Sequence, residues 1–504
     1  MALLLGPSLF GQAAARFLDQ ATWGPTPASI AQVQTMGYAD WLTAQFALNT
    51  SDLPDQPLLN SAGKNNNNLA PVQAAFFENA VTGQDQLRQR VAFILSQIWV
   101  VSQQSGVTEA YAYPPYWRIF RDNAFGNYRD LIRAVTLSPA MGRYLNMANN
   151  NKPNAKAGSV PNENYARELM QLFTLGLTKL NPDGSPVVEN NAPVATYAAA
   201  DVTSLSQILT GWTYPTAPGA TAKNNNPAYY FGQMFSVDAE HDKSAKTIFG
   251  NVTVPAGQTA PEDLESLLDA LMAQPTMAPF ISEQLIEHLV TSNPSPAYIE
   301  RVSTVFTNDG TGVRGNLQAV IKAILMDPEA RAGDIPSSTE AVSFGHMREP
   351  ILFMTSVLRG LNSTADATST ISGDASEMGE NLFNAPSVFS YFSPQSRTEF
   401  GLVGPEFQIY STQTAADRVN LVNSILYGTK AKGFTVNLAP FTTQATANTP
   451  TLLNYISSIF LHGEMPAALT QAATAAVDAE SSAAAKAQAA LYVVLTSGEY
   501  QIIQ

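Results

Sequence analysis

The stretch LRQRVAFILSQIWVVS, residues 87–102, decides the fold class. Leu87, Val91, Ile94, Ile98 and Val101 recur at intervals of four, three, four and three, which puts them on one face of an α-helix. Arg90, Phe93, Gln97 and Val100 form a second face, so a guanidinium and an amide sit among large apolar groups. A helix that is apolar on more than one side belongs inside a protein. The spacing predicts one long helix over about 71–103, with Arg90 and Gln97 partly buried. A buried arginine needs a partner, and Glu163, Glu168 and Asp201 are the expected acids. Otherwise the guanidinium is free to hold a substrate carboxylate or sulfate.

The same period extends along most of the chain. AAARFLDQATWG reads as a helix ending at Gly24. Two short helices follow, with Thr26 as N-cap, Pro27 at the first helical position and Gly37 dividing the pair. Residues 115–147 read as two more helices, with Asn127 or Asp122 as caps. PNENYARELMQLFTLGL, residues 161–177, reads as a helix, and TYAAADVTSLSQILTGW as another that stops at Gly211. Short amphipathic helices resume from 261, with a break at 332–340. Two regions depart from this period. Residues 213–258 read as irregular chain or short strands, and 384–410 as an irregular stretch rich in proline and aromatics. Residues 362–381 are rich in Ser, Thr and Asp. No repeat of 20–50 residues is visible. The expected architecture is all-α: a short extension over 1–11 and one large helical domain over 12–504, with under about 10% strand.

Composition narrows the function classes. Of 504 residues, 45% are hydrophobic and only 13% are charged, about half the usual share. The net charge is −14 and no basic block occurs, which argues against nucleic-acid binding. There is no cysteine, so thiol nucleophiles, thiolate metal sites and disulfides are excluded. No apolar run reaches the ~20 residues that span a bilayer. The start, MALLLGPSLFGQAAARF, has a short apolar patch but no basic region ahead of it, so no signal peptide is evident. A surface built of Asn, Gln, Ser and Thr instead suits an exported protein.

The segments AARFLDQATWGPT, LRQRVAFILSQIWVVS, AFGNYRDLIRAVTLSPAMGRYL, PNENYARELMQLFTLGL, DVTSLSQILTGW, HDKSAKTIFG, LVTSNPSPAYIERV, REPILF and SVFSYFSP followed by GPEFQI occur in that order. In this the chain resembles the bacterial family called domain of unknown function 1800, over roughly residues 12–504. The resemblance implies export and carries no activity with it.

Candidate chemistry comes from the residues themselves. Glu163 and Arg167 are four apart at a helix start and share a face, as do Asn164 and Glu168. One reading is a capped helix with a structural ion pair. The other is the wall of a polar pocket. If that pair is buried, losing Arg167 costs roughly 3–5 kcal/mol. His241 and Asp242 lie in the irregular 213–258 region, and a histidine beside an aspartate suits an oriented base or a metal ligand. The expectation is that 236–246 folds over the 163–176 helix and brings His241 and Asp242 to Glu163 or Glu168. Glu163, Glu168, Asp201, His241 and Asp242 are then the candidate catalytic groups. Arg90, Arg167, Trp212, Tyr214 and Tyr230 are the candidate binding groups. Arg348–Glu349–Pro350, ahead of an apolar helix, is a candidate cap or ion pair, with His346 close by.

The leading functional expectation is an exported enzyme that hydrolyses an extracellular polymer, most simply a carbohydrate, with two carboxyl groups. The second is a secreted or surface scaffold without catalysis. The third is a metal-dependent enzyme using His241, Asp242 and a glutamate. No cofactor is otherwise expected, and the Walker, zincin, nucleophile-elbow and dinucleotide signatures are absent.

Overall fold

The computed structural model describes residues 7–156, 158–334, 344–365, 370–428 and 433–504. Among these, 21 α-helices alternate with short 3₁₀ turns, and the strands form five antiparallel pairs of two or three residues per strand. The all-α expectation holds. The first helix, Pro7–Ala21, runs through the position expected to divide extension from domain. Most of the break expected at 332–340 and part of the 362–381 stretch lie outside the described residues.

Three helices lie at the centre. Residues 13–21 of Pro7–Ala21 are buried throughout, as is every residue of Pro350–Gly360. Gln86–Ile98 is buried except at Ser96, so both faces read in its sequence are covered. The expected long helix is in fact two, Ala70–Thr82 and Gln86–Ile98. The break follows from the Gly83–Gln84–Asp85 corner. Gly83 closes the first helix by donating to the Asn79 carbonyl. Asp85 then turns its carboxylate onto the Thr50 and Ser51 amides, both at 3.0 Å, and so anchors the polar 50–70 loop. Trp23, Phe76, Phe93 and Trp117 fill the space between, with ring centroids 5.1–5.6 Å apart. Each such ring contributes roughly 1.5–3 kcal/mol by burial.

Close backbone approach explains two glycines. Gly24 has φ +118°, and a β-carbon there would lie 2.6 Å from Ser356 Cα in the central Pro350–Gly360 helix. Gly345 has φ +94°, and a β-carbon there would strike the Ile503 carbonyl oxygen. That second contact marks where Ile502–Ile503 pairs antiparallel with His346–Met347.

The caps read from sequence are present at Thr26 and Asn127, which accept from the Ser29 and Arg129 amides. Residues 113–144 give three helices rather than two, because Pro139 restarts the chain after Thr136. The 161–177 helix is shorter than expected, spanning Asn164–Gln171 with Glu163 as its N-cap residue. The 213–258 region holds short strands and one 3₁₀ turn, Asp238–Glu240. Phe235–Ser236 pairs with Trp212–Thr213, and Lys246–Ile248 with Val252–Val254.

Candidate functional site

The residues singled out from sequence do not form one pocket. Glu163 and Arg167 make a surface ion pair of 3.3 Å, with side chains 39% and 46% exposed. Glu163 also accepts from Thr203 Oγ1 at 3.0 Å, so it reaches a second helix, while Arg167 does not. Glu168 is half-buried near Tyr144 and Tyr197. Burial raises its carboxyl above the ordinary value, against a smaller opposing pull from Arg167. Asp201 is committed to backbone, accepting from the Ala198 amide at 2.7 Å and the Phe249 amide at 2.6 Å.

His241 is fully enclosed, with Nδ1 2.9 Å from the Thr210 carbonyl oxygen and Nε2 3.2 Å from Asp263 Oδ2. Lys246 shares that Asp263 oxygen at 2.6 Å. Asp242 accepts from the Ser244 amide and hydroxyl. His241 and Asp242 therefore serve Asp263 and Ser244 instead of Glu163 or Glu168. The residue type that suggested a base or metal ligand is here the cross-brace of a buried loop. Among the described residues no three His, Asp or Glu groups are arranged to hold a metal ion.

Trp212, Tyr214 and Tyr230 are buried, and Tyr230 packs against Tyr111 at 5.3 Å and Tyr214 at 6.3 Å. They are a packing cluster and offer a ligand little surface. With Arg167 on the surface, its replacement by Ala is expected to cost under about 1 kcal/mol, the ordinary value of an exposed pair. A urea midpoint shift equivalent to several kcal/mol would overturn this.

Arg90 leads to a different centre. Its Nη2 donates to the His288 carbonyl oxygen at 2.8 Å, and Nη1 lies 3.7 Å from Glu349 Oε1. The expected partners Glu163, Glu168 and Asp201 are thus replaced by Glu349. Gln97, two turns further along the same helix, donates to Glu349 Oε2 at 2.6 Å. Glu349 precedes Pro350 at the start of the central helix. Glu380 reaches the same helix start from a remote loop and accepts from the Ile351 amide at 2.8 Å. Glu380 Oε1 meets no N–H or hydroxyl donor, and the Glu349 carboxyl faces it. Burial raises the pKa of both acids, and the neighbouring Glu349 raises that of Glu380 further.

The sign of that shift has a consequence. An acid whose folded pKa is raised adds stability that is complete below its unfolded value near 4.5. That stability is lost as pH climbs toward the folded value. Glu380→Gln keeps the neutral shape and a donor for Glu349. It is expected to match the parent in urea at pH 5 and to exceed it at pH 8. Equal pH dependence of the two proteins would refute the raised Glu380 pKa.

In front of this pair lies a small cavity of about 60 Å³, lined by Gln97, Leu172, Glu287, His288, Ser390 and Glu406, with Phe389 and Phe392 at its side. The 161–177 stretch does reach this site, but through Leu172 and not through its charges. Burial, with Glu283 and Glu406 adding to it, raises the Glu287 carboxyl well above the ordinary value. Glu283, one turn earlier, is pushed up to about 6 by burial. Burial and the nearby Arg90 hold His288 down at about 3, so its imidazole is neutral. Glu406 is 5% exposed and lies 3.3 Å through Oε1 from His346 Nδ1. A wider groove of about 610 Å³ adjoins the cavity at Ser292 and is lined by His346, Arg397, Phe400 and Phe407.

The family model described as "Protein of unknown function (DUF1800)" matches residues 16–502. The chain belongs to this family. No curated protein and no solved structure matches it. The family's shared sequence thus spans every element that builds the carboxylate site, from the Gln86–Ile98 helix to the 384–410 loop.

Glu287 and Glu406 escaped the sequence reading. Glu283 and Glu287 are four apart in SEQLIEHLV, which was a usable signal for a shared face. Glu406 in GPEFQI had none, since irregular chain has no period to show which side is covered.

Proposed function

We propose that this protein is an exported acid/base hydrolase that cuts an extracellular polymer, most simply a carbohydrate, at the Glu287–Glu406 cavity. The observation that carries the reading is a partly buried Glu287, its carboxyl raised well above the ordinary value, beside a second carboxyl group, Glu406, in a cavity that adjoins a groove. Two carboxyl groups in unequal surroundings are the requirement for glycoside hydrolysis. Glu287 gives its proton to the leaving oxygen as the C–O bond breaks. Glu406, oriented by His346, takes a proton from water as the water oxygen bonds to the sugar carbon. Glu287 is left as carboxylate and Glu406 as acid, and one proton exchange with solvent restores both.

The groove suits a chain-like substrate. Phe400 is 83% exposed and Phe407 40%, and ring faces of this kind stack on the C–H faces of pyranoses. The low share of charged residues is consistent with export. The test is release of reducing ends from a panel of neutral, acidic and amino-substituted polysaccharides by the full chain. Absence of product from every member would overturn the reading.

A second reading, a surface protein that holds a polymer without cutting it, draws on the same exposed rings. Retention on an insoluble polysaccharide with no soluble product, lost in Phe400→Ala, would favour it.

A further inference from the structure

We propose that the Glu287–Glu406 cavity recognises a compact cation, an alkylammonium group, carried on the polymer unit that enters it. This rests on the polymer-hydrolase reading and narrows the substrate to an amino-substituted one.

Gln97 spends its only donors' end on Glu349, so the atom it has left is Oε1, and Oε1 has no partner. Glu406 meets His346 through Oε1, while its Oε2 has no partner. Ser390 Oγ has none either. Gln97, Glu406 and Ser390 are 6%, 5% and 5% exposed, and all three line the cavity. Buried oxygens left without a donor cost about 1–3 kcal/mol each, so the cavity is built for something that donates.

Charge selects among donors. No lysine or arginine lines the cavity; Arg90 lies outside its lining, donating Nη2 to the His288 carbonyl and ion-paired with Glu349, with Nε and Nη1 left without a hydrogen-bond partner. Glu406 lines it and no cationic side chain does, so an anionic group finds no countercharge there. An ammonium offers three donors and no acceptor, which is what three unpaired oxygens need. Phe389 and Phe392 add ring faces at the side, which attract a desolvated cation. The cavity is small, so the ammonium enters it while the ring that bears it sits at the mouth, with the bond to be cut within reach of Glu287.

The test is binding of glucosamine, methylammonium and glucose to the full chain, followed by calorimetry and by protein chemical shifts. Glucosamine and methylammonium are expected to bind in the millimolar range, and glucose at least about tenfold more weakly, the worth of one charge-assisted hydrogen bond. Glu406→Gln is expected to abolish that preference. Should this variant fail to fold, the wild-type ranking of the three probes decides alone. Equal binding of glucose and glucosamine, or no binding of either amine, overturns the proposal. Amine binding without hydrolysis of any polymer would overturn the hydrolase reading only. Hydrolysis of a neutral polymer without amine preference would overturn this one only.

Discussion

Glu287→Gln is expected to lower turnover of the cleaved polymer by about 10²–10⁴-fold, the usual contribution of a positioned acid or base. The amide keeps the shape of the protonated acid but cannot release a proton to a leaving oxygen. Because burial favours the neutral form of Glu287, the variant is expected to melt no lower than the parent. Glu406→Gln should give a loss of the same order, since it removes the group that accepts the proton of water. The contrast lies with the residues first picked from sequence. Glu163→Gln alters a surface pair and should leave turnover within about twofold, the scale of a small surface effect. His241→Asn breaks the bond to Asp263 and should lower stability without a selective loss of activity. Full activity in Glu287→Gln, or loss confined to Glu163→Gln, would move the chemistry elsewhere.

Arg348→Ala is expected to cost roughly 3–5 kcal/mol, the penalty for stranding one member of a buried ion pair. Arg348 holds Asp19 with two parallel bonds of 2.7 and 2.6 Å, donates Nε to the Tyr500 carbonyl oxygen at 2.8 Å and lies over the Tyr500 ring. His462 Nε2 is 2.9 Å from the same Asp19 carboxylate. All of this is enclosed, so solvent cannot replace the lost cation. Arg348→Lys should recover only part of the loss, because an ammonium cannot make the planar two-point contact. Burial raises the Asp19 pKa, but Arg348 and His462 together outweigh that and hold it well below the carboxylate range. A depressed acid contributes stability that is full above its unfolded value near 3.9 and is lost as pH falls toward the folded one. Asp19→Asn should therefore flatten the acid limb of the stability curve below about pH 4. A urea-derived loss under about 1 kcal/mol for Arg348→Ala would show that the pair contributes little.

The helix class, the Thr26 and Asn127 caps and the two-sided burial of residues 87–98 could be read before any coordinates, because period and cap chemistry are local. The site could not. Gln97 and Glu349 are 252 positions apart, and nothing local in either segment names the other. The Glu163–Arg167 spacing was read correctly as a pair, yet its setting was not. An i,i+4 pattern says which groups share a face and is silent on what covers that face. Glu349 was visible as a cap or pair. What chose the pair was Glu380, which arrives at the same helix start from a loop with no signature of its own.

Arg348 and Glu349 are neighbours that face opposite ways, one toward Asp19, His462 and Tyr500, the other toward Arg90, Gln97 and Glu380. During synthesis Asp19 leaves the ribosome long before Arg348, and Tyr500–Ile503 later still. Until those last segments arrive, the His346–Met347 strand has no neighbour and the wall between cavity and groove is not set. Closing such distant contacts is slow. A chain that ends before residue 500 should thus leave the apolar faces of Pro350–Gly360 and Pro7–Ala21 without their last cover, so truncation there is expected to cost the whole fold and not one edge of it.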